Sequence, residues 1–477
     1  MTDGEYIQIT HRQLPYTTFD ADNHLYETPD ALTKFLPREY EGIVKYVEVN
    51  GRTKLAIQDK ISDYIPNPTF SKVAVPGGAG LDVTKGGKGL NHLSEGFGKM
   101  LAMPSIDAFF DPEPRLELMK EMGIDRTLLW PTLASALEER MADDPDAVCA
   151  VIHALNQWMH EHWTYVYSDA IFSTPIISLA VMERAIEELE FIAERGARIF
   201  LIRVAPVPTW KGRKSFALPE FDPFWTRVQE LGLVVGMHSG DSGYTRYINE
   251  WEGFGDREMS ISRHARRAAP AFLTLSSEKD NLVDAMASII GHGLATRFPK
   301  LRFMPVEFSS RWIRPFYKKL QRAWDATPVL FDEDPVEAFN RSVWVHAFHE
   351  PDPKGLLELG IPADHVMFGS DFPHPEGMGD PLAYSEVVAD LPAEQQALIM
   401  GGALEKAMGV GQPAGGSRLG ACRVGLDGRG GDRARRADRV RSGSCPPGSC
   451  RGPVGHDAPA SAPASPRRST GRTPCGA

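Results

Sequence analysis

Residues 19–24 read Phe19-Asp20-Ala21-Asp22-Asn23-His24, and how this stretch is read decides the fold. It closes an apolar run, Tyr16–Asp22, that predicts a β-strand. Strand alternation sends residues 20, 22 and 24 to one face. An apolar interior does not accept Asp-x-Asp-x-His without partners, because a lone buried charge is costly. A divalent cation is one such partner. A buried salt bridge or a helix-capping Asp is the alternative, and from this motif alone the two readings stand level.

The chain outside this stretch tips the balance. Seven further apolar runs predict strands: Arg126–Pro131, Ile171–Leu179, Ala197–Ala205, Leu233–His238, Leu301–Glu307, Ser342–Ala347 and His365–Asp371. Amphipathic segments separate most of them, which is the pattern of βα units. A helix over Asp144–Tyr165 opens with Asp-Asp-Pro-Asp, a good start signal. Val181–Gly196, Phe221–Gly232 and Pro353–Gly360 each end on glycine, as a helix C-cap favours. Eight parallel strands with intervening helices predict an α/β fold, a (β/α)8 TIM barrel. A doubly wound sheet is the main alternative, but no G-x-G-x-x-G follows the first strand.

In a barrel the ends of different strands converge on one rim. His238 ends the fifth predicted strand and Asp371 ends the eighth. Together with Asp22 and His24 they supply four N/O donors, a set that suits Zn2+ and tolerates Mn2+. The expected cofactor is therefore one divalent metal ion held by Asp22, His24, His238 and Asp371.

The remaining segments set the domain plan. Roughly a hundred residues separate the first two predicted strands, far more than an ordinary connection. Within this 25–125 insertion, Asn50-Gly51 between Ile43–Val49 and Thr53–Ile57 predicts a type I′ hairpin. Because it follows a strand, the insertion is expected on the catalytic face, as a lid or a dimer contact. Beyond residue 410 the composition becomes Gly, Pro, Ala, Ser and Arg, with no aromatic residue. Such a segment cannot bury enough apolar area to offset its ordering entropy. Residues 411–477 are expected to be a disordered tail after a 1–410 barrel. Their Lys-free, Arg-rich composition also resembles out-of-frame translation of a GC-rich gene, which the other two reading frames of the coding DNA would reveal.

Charge and composition narrow the function classes. The tail holds twelve Arg and four Asp, a net of +8, which leaves −19 for the rest of a chain whose total is −11. An acidic body argues against nucleic-acid binding. No apolar run is long enough to span a bilayer, and the N-terminus lacks the apolar core of a secretory signal. The expected address is cytoplasmic, with no membrane partner. Cys149 is the one cysteine ahead of the tail, so no disulfide framework is expected.

The motifs Asp20-Ala-Asp-Asn-His24, His238-Ser-Gly, Arg297-Phe-Pro-Lys-Leu-Arg302 and Phe368-Gly-Ser-Asp371-Phe-Pro-His374 resemble the amidohydrolase superfamily. The likeness is to its amidohydrolase 2 branch, related to aminocarboxymuconate-semialdehyde decarboxylase, over roughly residues 15–410. The resemblance implies a metal-dependent hydrolase or a non-oxidative decarboxylase (carboxy-lyase). Two positions depart from the family pattern. Asp22 stands where the first metal histidine is usual, although related decarboxylases carry Glu there. Glu307 stands where many relatives end the sixth strand with a proton-handling His.

Asp371, Glu307 and His238 are thus the expected catalytic residues, with His374 and Trp312 expected at the substrate. Trp312 also reads as core or pocket wall. His346 and His349 close the seventh strand as further candidates, Glu376 is a weaker one, and His292 reads as structural. Asp241 is expected either to orient His238 or to cap the next segment. The substrate is expected to be small and to carry a carboxylate or carbonyl, and a homodimer is consistent with the insertion. The competing reading is a non-catalytic barrel acting as a binding or scaffold protein.

Overall fold

The computed structural model describes residues 13–62, 65, 67–78, 101–243, 251, 279–347 and 353–411. In chain order its strands are β1 (Phe19–Leu25), β2 (Val44–Val49), β3 (Arg52–Ile57), β4 (Lys60–Ser62), β5 (Lys72–Ala74), β6 (Ala102–Pro104), β7 (Arg126–Pro131) and β8 (Val166–Tyr167). They continue as β9 (Ile171–Ser173), β10 (Ile199–Leu201), β11 (Val207–Thr209), β12 (Gly212–Lys214), β13 (Val234–His238), β14 (Phe303–Val306), β15 (Val345–His346) and β16 (Val366–Met367).

Parallel pairing runs β1–β7–β9, then β10–β13–β14, then β15–β16. Isolated parallel bridges Ile176↔Leu201, Phe303↔Val343 and Asn23↔Phe372 link the three groups, the last leading back to β1. A helix follows every one of these strands. They are Pro112–Met122, Pro145–His162, Met182–Glu194, Asp222–Leu231, Lys279–Gly291, Ile313–Ala326, Pro353–Leu359 and Ala403–Met408. This is the TIM-barrel arrangement expected from the βα alternation.

The local signals behave as their chemistry requires. Asp144 caps Pro145–His162 by accepting from the Ala147 amide at 3.1 Å, which satisfies one of the free N–H groups of the first turn. That helix buries Val148, Val151, Leu155, Trp158 and Met159, one stripe at helical spacing. Gly232 ends Asp222–Leu231 in the left-handed region at φ 68°, where a side chain would be strained. Among the described residues no helix is long and apolar enough to cross a membrane.

Several predicted strands are shorter than their apolar runs. The third stops at Ser173 because Pro175 lacks the N–H that a ladder needs. The fourth stops at Leu201, and the chain turns at once, with the Ala205 amide donating to Arg203 O at 2.9 Å. The eighth pairs only over Val366–Met367, because Asp371 turns to φ 57°. The first strand is displaced towards its C-terminus, Phe19–Leu25 instead of Tyr16–Asp22. His24 and Leu25 still pair with Trp130 and Pro131, past a register shift between Asp20 and Asn23. Apolar periodicity cannot see that extension, because pairing continues through polar residues.

The predicted hairpin is present: β2 and β3 pair antiparallel around Asn50 and Gly51. Both turn residues have positive φ, 51° and 69°, as a type I′ turn demands. β4 extends this sheet, and β5 pairs with β6. Residues 79–100 of the insertion and the tail beyond 411 lie outside the described residues.

Trp130, Trp158, Trp163 and Trp225 are fully buried in the core. Trp130 also fixes strand order, since its indole N–H donates to Ala21 O on β1 at 2.9 Å. The ring has room because β13 carries Gly236 there. A Cβ at residue 236 would lie 2.5 Å from Trp130 Cη2 and 3.2 Å from Phe200 O. Gly236→Ala should therefore cost about 1–3 kcal/mol by overpacking. Differential scanning calorimetry should show a lower Tm; an unchanged Tm would contradict this account of the packing.

Candidate metal centre

The site is built where β1, β13, β14, β15 and β16 end. β1 delivers Asp22 and His24, β13 delivers His238, and the loop after β16 delivers Asp371 and His374. Asp22, His24, His238 and Asp371 are all buried. His238 Nε2 lies 3.2 Å from Asp22 Oδ1. His24 Nε2 lies 3.6 Å from Asp22 Oδ1 and 3.4 Å from Asp371 Oδ1. Asp22, His24 and His238 form one compact donor group, and Asp371 reaches it through His24, in a group with His374.

The tautomers follow from the partners. His238 Nδ1 lies 2.8 Å from the Ser239 carbonyl, which can only accept, so Nδ1 carries the proton. Nε2 then turns a lone pair towards Asp22. His24 Nδ1 meets the Thr132 hydroxyl at 3.3 Å, and that hydroxyl already donates to Leu25 O at 2.9 Å. His24 Nδ1 must therefore donate, and its Nε2 also presents a lone pair. Two lone-pair nitrogens thus face carboxylate oxygens, which is repulsive unless a cation lies among them. Asp22 Oδ2, His24 Nε2 and Asp371 Oδ2 are buried and make no hydrogen bond. Such atoms are rare in native interiors and call for a partner. The donor set fits a divalent cation with mixed imidazole and carboxylate ligands.

Electrostatics agree. Burial pushes the Asp371 carboxyl well above its usual range, and the neighbouring Asp22 charge adds to this. Burial pushes His24 well below its usual value, and His374 pushes the same way. A cation would reverse the repulsion between the two carboxylates.

His374, expected at the substrate, stands in the cluster itself. Its Nδ1 lies 2.8 Å from Asp371 Oδ1, and its ring stacks on His24 at 3.9 Å. Glu307 approaches from the other side, its Oε2 3.5 Å from His238 Nδ1. Glu307, Asp371, His374 and Glu376 form a further close group. Glu307 and Asp371 both hold positive φ, 67° and 57°, a conformation that costs non-glycine residues energy and is held only by firm surroundings.

Other residues singled out in the sequence stand elsewhere. Asp20 does not share the cluster with Asp22 and His24, because the irregularity between Asp20 and Asn23 breaks strict alternation. It accepts instead from the Asp22 amide (3.0 Å), Asn23 Nδ2 (2.6 Å), the Ser370 amide (2.9 Å) and Ser370 Oγ (2.5 Å). Burial pushes Asp20 up to about 7 although those donors pull it down. Asp241 does not orient His238. Its carboxylate accepts from Arg140 Nε at 3.0 Å and from the Gly243 amide at 3.1 Å. Trp312 packs on Phe316 and Phe339, with ring centroids 6.0 and 6.2 Å away, as part of the helix layer. His292 bonds Ser288 Oγ at 3.0 Å on the surface. His349 lies outside the described residues.

Two supporting residues carry more weight than the sequence suggested. His346 accepts the Glu307 amide at its Nδ1, 3.0 Å away, and so anchors the strained turn. A Cβ on Gly369 would lie 2.5 Å from His346 Nε2 and 2.8 Å from Asp22 Cβ, so only glycine fits between them. Arg115 is fully buried and donates to Ala108 O (2.6 Å), Asn23 Oδ1 (2.9 Å) and His24 O (2.7 Å). Its signal was present: it shares a helix face with buried Leu118, Met119 and Met122, where a charge has to serve something.

This geometry can be set beside known proteins. The amidohydrolase family model matches residues 102–405. The crystal structure of an amidohydrolase from Mycobacterium avium subsp. paratuberculosis K-10 is 31% identical, with a TM-score of 0.74, over 83% of this chain and 100% of that one. The chain belongs to the amidohydrolase family. Two more distant structures share the fold. A manganese-bound 5-carboxyvanillate decarboxylase from Novosphingobium aromaticivorans DSM 12444 is 14% identical, TM-score 0.52, over 85% of this chain and 100% of that one. Metarhizium anisopliae IDCase in its apo form is 15% identical, TM-score 0.51, over 82% and 97%. No curated protein matches the chain significantly.

Arg115 supplies a direct test of this architecture. Arg115→Met leaves three buried acceptors unpaired at the end of β1, which should cost about 3 kcal/mol or more. Urea denaturation should show the loss. A midpoint equal to wild type would remove Arg115 from the scaffold of the site.

Proposed function

We propose that this chain is a metal-dependent enzyme acting on a small substrate that carries a carboxylate or carbonyl group. Hydrolysis and non-oxidative decarboxylation are the two reaction types in view. The observation that carries the proposal is the set of buried donor atoms without hydrogen bonds on Asp22, His24 and Asp371, facing the lone-pair nitrogens of two histidines. Asp22, His24, His238 and Asp371 would hold one divalent ion, Zn2+ in the first instance and Mn2+ as an acceptable alternative. The manganese in the distant decarboxylase is consistent with the latter.

A bound cation supplies Lewis-acid polarisation of a substrate oxygen and a lowered pKa for water. The chain's own residues would do the rest. Asp371 is buried and borders His374, so it can hold a proton at Oδ1 or Oδ2 and share it with that ring. Glu307 is 18% exposed at its side chain and borders His238 Nδ1. It therefore connects the buried cluster to solvent and can take up or deliver a proton at Oε2. Stacking on His24 fixes the His374 ring against the substrate side of the cluster.

The eight parallel strands are read as one closed barrel, joined at Ile176↔Leu201, Phe303↔Val343 and Asn23↔Phe372. The insertion is read as a cover. Phe70 stacks on Tyr26 at 4.3 Å, and the Gly77 amide donates to His374 O at 3.2 Å.

Protein purified without chelator should hold about one divalent ion per chain by elemental analysis, and His238→Ala should lower metal affinity at least ~100-fold. A wild-type chain that binds no Zn2+, Mn2+ or Fe2+ would overturn the proposal. Over a panel of aromatic acids and lactones, CO2 release marks decarboxylation, and incorporation of 18O from labelled water into product marks hydrolysis. Turnover unaffected by metal removal would also refute the reading.

A further inference from the structure

Beside the cation site a small recess, about 40 Å³ in volume and partly open to solvent, runs along the ends of β7, β9, β10 and β13. Pro131, Ile176, Leu201 and Phe308 give it apolar walls, His238 stands on one side, and Arg203 stands on another. A residue of the cation site and a guanidinium therefore line the same recess.

Arg203 follows β10, and its side chain is only 9% exposed. Its Nε donates to Asp241 O at 3.1 Å, and its Nη2 pairs with Glu139 Oε2. Its Nη1 is buried and has no hydrogen-bond partner among the described residues. A desolvated N–H of a charged group without an acceptor is costly. Its acidic neighbours are also engaged elsewhere. Glu139 is shared with Arg213, 3.0 Å away. The Asp241 carboxylate is taken by Arg140 at 3.0 Å. Glu138 accepts from Ser178 Oγ at 3.0 Å, and burial shifts its carboxyl towards the neutral form, against the pull of Arg203.

We infer that Arg203 Nη1 anchors a carboxylate on the substrate, at the end of an apolar body whose other end lies at His238 and the cation site. The subsite selects organic acids with a flat hydrocarbon core over their neutral amides. A planar guanidinium suits a carboxylate better than a point charge does. This deepens the function proposed above and depends on it only in taking His238 to mark the reacting end.

The test uses full-length, metal-replete protein with benzoate and benzamide as probes, measured by isothermal titration calorimetry. Wild type should bind benzoate at least ~10-fold more tightly than benzamide. Arg203→Met should abolish that preference without changing metal content. Arg203→Lys, which keeps the charge and the fold, should retain only part of it. Equal binding of the two probes by wild type would overturn the inference. So would a preference that survives in both variants, since the carboxylate would then sit on the cation or elsewhere. The metal content of wild type is read separately: an empty cation site with an Arg203-dependent benzoate preference refutes the metalloenzyme and leaves the subsite standing.

Discussion

Two carboxylates and two imidazole lone pairs share one buried space, and the rest of the structure answers to that. Asp22 and Asp371 are fully buried, each within 3.6 Å of His24 Nε2. Protonating Asp371 would relieve part of the repulsion but would leave buried oxygens and nitrogens without partners. A cation relieves all of it at once. This is why the cluster is read as a ligand set and not as a salt-bridge network: its hydrogen bonds point outward, to Ser239 and Thr132, and its lone pairs point inward.

Holding such a set requires a scaffold that is itself polar and buried. Arg115 pins the β1 carbonyl of His24, while Asp20 and Ser370 tie β1 to the loop after β16. The Asp371 amide adds to this by donating to Asp22 O at 2.7 Å. Glycine at 369 and 377 lets these backbones approach: a Cβ on Gly377 would fall 2.3 Å from Asp371 O. The left-handed conformations of Glu307 and Asp371 are then understandable as geometry imposed from outside, with His346 holding the first and Asp22 the second.

What could be read from the sequence was what is local. A polar residue ending an apolar run names a strand end, and Asp22, His24, His238 and Asp371 were all found that way. The Asn-Gly hairpin and the glycine caps were legible for the same reason. Long-range relations were not. Nothing near Asp20 announces that Ser370 will hold it, and the register shift in β1 cannot be seen without β7. Trp312 stands out by its place after the sixth strand, yet its ring packs on Phe316 in the helix that starts beside it and on Phe339 in a later one. Arg203 lies inside a predicted strand, Ala197–Ala205, and has no signal of its own. An arginine becomes informative only once one of its nitrogens, here Nη1, is seen to lack an acceptor.

The two departures from the family pattern have a common physical consequence. At a cation held as proposed, Asp22 in place of an imidazole would add a negative charge to the ligand set, and the Glu307 carboxyl lies beside His238. A more anionic site holds a divalent ion more firmly and lowers that ion's electrophilicity, because its charge is already partly neutralised by the protein. A substrate carboxylate is then attracted less strongly to the cation than it would be at a site with more imidazole ligands. A separate cationic group is needed if an acid is to be held in a fixed orientation. Arg203, which lines the same recess as His238, stands where that requirement would be met.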